Sequence, residues 1–132
     1  MSKYSQVVGC VVMVVGVMAG AAFADSDRRN QPTFIKAKFD APVSYNDVKE
    51  DWAERGYSIP EVQPYAKGWS RGEHTHEMHV LLTVVVGRME FIISGQHFVV
   101  EPGDELLYPA YAVMSGRNVY DGTSKMMESL KW

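Results

Sequence analysis

A chain of 132 residues, 46% of them hydrophobic and with a formal charge of −3, suits one domain around one core. Its mildly acidic balance, with no cluster of Lys or Arg, excludes a reader of the phosphate backbone, so no nucleic-acid partner is expected. The single cysteine, Cys10, lies in the apolar N-terminal run, which leaves no thiolate for catalysis or metal binding further along.

Residues 1–24 contain one lysine, Lys3, then an apolar run from Val7 to Phe23 and the pattern Ala22-Phe23-Ala24 before Asp25. That is the layout of a secretory signal peptide, with cleavage expected after Ala24 and a periplasmic or secreted mature chain. An uncleaved membrane anchor is the alternative, and the only membrane association expected. Residues 25–64 are expected to add a strand and a helix to a barrel built from residues 65–132.

"TFIKAKF" (33–39) alternates apolar and polar residues as a strand does, and Pro42 ends it. "VSYNDVKEDWAERG" (43–56) is the one helix. Ser44 is its N-cap, with Asp47 completing an acidic form of the capping box, and Val43 with Val48 occupies the hydrophobic-staple positions. Tyr45, Val48 and Trp52 form one apolar stripe, and Gly56 supplies the stop, so Trp52 is expected to anchor the helix on the core.

From Tyr65 the chain reads as β. "HVLLTVVV" (79–86) is a fully buried strand turned by Gly87, and "RMEFIIS" and "HFVVE" follow. Pro102-Gly103-Asp104 is a strong turn, and "ELLYP", "YAVMSGRN" and "KMMESLKW" complete the series. Short strands at turn spacings near ten residues predict an all-β antiparallel sandwich or small barrel.

The motif spacing in this region resembles that of the cupin superfamily. The first cupin motif is Gly, five residues, His, one, His, three or four, Glu, six, Gly; here Gly68, His74, His76 and Gly87 keep register while Val80 stands at the glutamate. In the second motif Gly103, Pro109 and Asn118 match, with Tyr111 at the second glycine and Met114 at the histidine. The resemblance implies a double-stranded β-helix barrel. It also implies a divalent metal held where His74, His76, Val80 and Met114 stand, and an activity among the dioxygenases, isomerases and decarboxylases of small molecules. Cupin barrels also pair, so a homodimer is expected.

On a continuous strand His74, His76, Met78 and Val80 would share one face, with His79 opposite unless a bulge intervenes. Three readings follow for the site. In one, His74 and His76 bind a transition metal with Met114 and His79. Imidazoles with a thioether suit copper; zinc, iron and manganese are the other candidates. In the second, Met78, Val80, Tyr111 and Met114 line a metal-free pocket for a small organic ligand. In the third the barrel is a structural or interaction module. His97, Glu73 and Glu77 are expected at the surface, Glu101, Asp104 and Glu105 in a solvated acidic turn, and Tyr65, Trp69, Met126 and Met127 in the packing.

Overall fold

The computed structural model describes residues 31–132, so the expected signal segment and its expected cleavage after Ala24 lie outside the described residues. Among the described residues there are nine strands and one helix. They are β1 (Thr33–Ile35), α1 (Tyr45–Glu54), β2 (Glu61–Tyr65), β3 (Ser70–His74), β4 (His79–Val86), β5 (Met89–Ile93), β6 (Gln96–Val100), β7 (Glu105–Tyr108), β8 (Met114–Asn118) and β9 (Ser124–Lys131). They form a five-stranded sheet ordered β1-β7-β4-β9-β2 and a four-stranded sheet ordered β3-β8-β5-β6. The paired strands run antiparallel, and the sheets face each other as a β-barrel. The larger sheet thus draws strands from both sides of residue 65.

The run 79–86 is apolar on both faces because it is covered on both faces. Val80, Leu82 and Val84 point into the barrel with Phe91, Ile93 and Leu106. Leu81 points outward to a second cluster, with Met127, Phe39, Val48 and Trp52 beneath the helix. A β-sheet with solvent on one side would alternate; this strand has the pattern of a sheet covered on both sides.

The helix has the expected ends. Ser44 Oγ accepts the Asp47 N–H at 3.3 Å. At the other end Gly56, at φ +87°, lets its own N–H reach Ala53 O and that of Tyr57 reach Trp52 O, a Schellman arrangement.

Two expectations are corrected here. The first strand stops at Ile35 rather than continuing to Phe39. Ala37 takes a positive φ of 52° and gives its N–H to Asp104 Oδ1 at 2.8 Å instead of to a strand neighbour. The acidic turn is also not solvated at Asp104 and Glu105, which are 1% and 2% exposed. Glu105 accepts the Trp52 indole N–H at 2.8 Å and both terminal nitrogens of Arg55 at 2.8 Å. A buried carboxylate is tolerable only when so satisfied. The same bonds fasten the helix to β7. The turn is held closed at Gly103, where a Cβ would lie 2.2 Å from Phe39 O.

Candidate functional site

His74 and His76 do not lie on one continuous strand. Strand β3 ends at His74, strand β4 begins at His79, and the chain between crosses from the smaller sheet to the larger. The crossing still brings the two rings together, with Nε2 to Nε2 at 3.1 Å. His74 Nδ1–H donates to Gly72 O at 2.8 Å, which fixes its tautomer and leaves the Nε2 lone pair facing His76. The His76 pKa is lowered, first by burial and then by His74 and Arg71, which keeps its ring neutral at neutral pH.

A bulge sets which neighbours join them. Arg71 pairs with Gly116 and His74 with Met114, with a register shift between. Directly paired residues share a face. Met114 belongs to the barrel core, and a Cβ on Gly116 would meet the interior Phe91 ring at 2.8 Å. The irregularity therefore brings both Arg71 and His74 to the cavity lining, Arg71 at its exposed rim, although an odd spacing on a regular strand would separate them.

Arg71, His74, His76 and Met114 line a cavity of about 80 Å³ at this end of the barrel. Tyr65, Tyr108 and Glu128 form its other wall. Tyr65 donates its hydroxyl to Glu128 Oε2, and the His76 ring packs on Tyr108 at 5.4 Å between centroids. Burial raises the pKa of Glu128, aided by the charge of Glu61 and opposed by the Tyr65 hydrogen bond. Burial and the charge of Glu128 likewise raise both phenols. Asn118 holds the wall in place, its Nδ2 donating to the carbonyls of Tyr65, Ala66 and Gly122 at 2.8–3.0 Å.

Other sequence-selected residues are placed elsewhere. His79 Nδ1 accepts the Ala110 N–H at 3.0 Å, so that lone pair is committed to the loop after β7. Val80 is packed in the core rather than on the cavity, Met78 does not line it, and Tyr111 is 67% exposed at φ +67°. Glu128 lines the cavity although the sequence reading did not single it out; its place two residues after the inward Met126 on the last strand was the available signal.

The fit of a metal is tested by the pair itself. With metal–nitrogen bonds of about 2.1 Å, a 3.1 Å separation corresponds to an angle near about 95° at the ion, which two ligands of one metal can adopt. Among the described residues no set of three or more His, Cys, Asp or Glu side chains converges on one point. Met114, whose strand position pairs with His74, adds a thioether to the lining of the same cavity.

The fold and this cavity define a small antiparallel barrel with a histidine pair at one end. A family model for the cupin domain matches residues 61–129. The chain belongs to the cupin superfamily. No curated protein matches it. Among solved structures it is similar to DMSP lyases at 24% identity, over 54% of this chain and 36% of that one, with a TM-score of 0.50. It is also similar to a cupin 2 conserved barrel domain protein from Leptotrichia buccalis, at 23% identity over 56% and 35% of the two chains, with a TM-score of 0.50. A third is described as a predicted oxalate decarboxylase from Thermotoga maritima, at 14% identity over 62% and 72%, with a TM-score of 0.51. These likenesses establish the fold. The chain spans only about a third of the length of the first two.

Proposed function

We propose that this is an exported cupin that holds one soft transition-metal ion between His74 and His76 and admits a small organic ligand beside it. The observation that carries the proposal is the 3.1 Å convergence of two Nε2 atoms, one of them with its lone pair fixed inward by Gly72 O. Copper is the favoured ion, because Met114 brings sulfur where the family's second motif has a third imidazole. A metal bound there would polarise a ligand carbonyl as a Lewis acid. The chain's own part is to keep the His76 imidazole neutral, to orient His74, and to limit the ligand's size. A cavity of about 80 Å³ leaves room for about five to eight heavy atoms, far below the usual range for drug-sized ligands.

The test is metal analysis of the protein isolated from the periplasm. Near-stoichiometric copper, lost in a His74→Ala, His76→Ala double variant, is expected. Failure to retain copper, zinc, iron or manganese after incubation with each would sink the proposal. The mature N-terminus should be Asp25, read by intact mass.

A further inference from the structure

The cavity also carries side chains that a metal on the histidine pair would not engage. Glu128 is a largely buried carboxyl on β9, and among the described residues its one hydrogen-bond partner is Tyr65, which engages Oε2. Oε1 therefore keeps its acceptor capacity for something in the cavity. The Tyr108 hydroxyl is in the same condition. It lines the cavity, and no group among the described residues hydrogen-bonds to it, yet it is not a sealed unsatisfied atom. Arg71, an exposed residue that also borders the outer groove beside Glu90 and Arg117, supplies the one guanidinium on the lining, at the rim of the cavity. A carboxylate acceptor, a phenolic donor and a guanidinium thus face a space that holds about five to eight heavy atoms.

We propose that this cavity takes a small 2-oxo acid, its carboxylate held by Arg71, and that Glu128 is a catalytic residue that removes a proton from the carbon next to the ketone. The guanidinium matches a carboxylate as a two-pronged donor and offsets the repulsion between that anion and Glu128. A C–H proton passes to Glu128 Oε1, converting the carboxylate to a carboxylic acid. The C–H electron pair moves into the adjacent carbonyl, forming an enolate whose oxygen accepts a hydrogen bond from the Tyr108 hydroxyl. Return of the proton from Glu128 to carbon restores the ketone, so the cycle needs no oxidant or reductant. Tyr65 is a positioning residue, since its hydroxyl holds Oε2 and so aims Oε1.

The groups around Glu128 favour this role. Glu61 and Tyr65 face it from β2, Tyr108 from β7, and Arg71 shares the lining from β3. Burial makes the carboxylate a stronger base than one in water, and proton transfer is most effective when base and operating pH are close.

This reading rests on the cavity described above but not on its metal, so the two can fail separately. The probe is pyruvate, with six heavy atoms. Its affinity is measured first in metal-free protein by calorimetry. Arg71→Ala should weaken binding at least tenfold and Arg71→Lys by less, whereas Glu128→Gln should change it by no more than about threefold. The second readout is deuterium uptake into the pyruvate methyl group in heavy water, followed by proton NMR with and without added copper. Wild type should catalyse it above the buffer rate, and Glu128→Gln should lose at least 95% of that rate. Tyr65→Phe should lower the rate while leaving affinity unchanged. Absence of pyruvate binding to wild type overturns the substrate class, and exchange that survives in Glu128→Gln overturns the role of Glu128. Bound copper with no pyruvate binding would leave the metal proposal standing and this one refuted. Pyruvate binding and exchange by a protein that retains none of the four metals would do the reverse.

Discussion

Installing the two ligands that the cupin motifs carry at positions 80 and 114 gives a quantitative test of the histidine geometry. Val80 is 1% exposed and packs with Leu82, Tyr108 and Met114, while Met114 is 3% exposed and paired with His74. In metal-free protein a Val80→Glu side chain has no cationic neighbour in this core, and such burial lifts a carboxyl pKa by about three units or more. Keeping it neutral at pH 7 costs about 1.4 kcal/mol per unit between its ordinary value and the working pH, so Val80→Glu with Met114→His should lose about 3–5 kcal/mol. For a domain of this size that lowers the melting temperature by at least about 12 °C. If His74 and His76 stand as metal ligands, the added carboxylate and imidazole complete a four-donor zinc site. Zinc at about a thousand times its dissociation constant then restores about 4 kcal/mol. The assay is thermal unfolding of wild type and variant with zinc or with a chelator. The expected result is a rise of at least about 16 °C with zinc (about 4–8 °C for each kcal/mol) in the variant, against a few degrees in wild type. A variant destabilised as described but indifferent to zinc would refute the view that the 3.1 Å pair has metal-site geometry.

Other outcomes follow from the same structure. Glu105→Leu strands the Trp52 indole N–H and removes the Arg55 pair; because Arg55 is partly solvated, the expected loss is about 3 kcal/mol in chemical denaturation, and a loss under about 1 kcal/mol would contradict the buried network. Gly103→Ala adds a Cβ 2.2 Å from Phe39 O at a positive φ, and should cost about 3 kcal/mol or prevent folding. The raised Glu128 pKa means that the folded state holds that proton more tightly than the unfolded chain. Its contribution to stability is therefore complete below about pH 4.5 and lost as pH rises through the folded value. Glu128→Gln should remove that loss, so the variant gains on wild type as pH rises from 4 to 8, read as the difference in melting temperature; a constant difference would show that Glu128 titrates as it does in water.

Elements whose signals are local can be read directly along the chain. Ser44, the Val48–Trp52 stripe and Gly56 specify one helix because capping and side-chain periodicity act within a few residues. The apolar run 79–86 could form only a strand covered on both faces, and the spacing from Gly68 to Asn118 identified the barrel and the histidine pair. What joins distant strands was decided in three dimensions. Glu105 reads as one more acid in a turn, but β7 places it under Trp52 and Arg55, more than 49 residues earlier in the chain. Alternation sets His79 facing away from His74 and His76 unless a bulge intervenes, and the strand break after His74 gives its Nδ1 to the loop at Ala110. Arg71 and His74 share the cavity only because a bulge breaks the alternation that sequence reasoning relies on. Glu128 gains its Tyr65 partner through a pairing of β2 with β9, across 63 positions of sequence. Local propensity carries no record of such pairings, because the register between strands is fixed by the packing of the whole barrel.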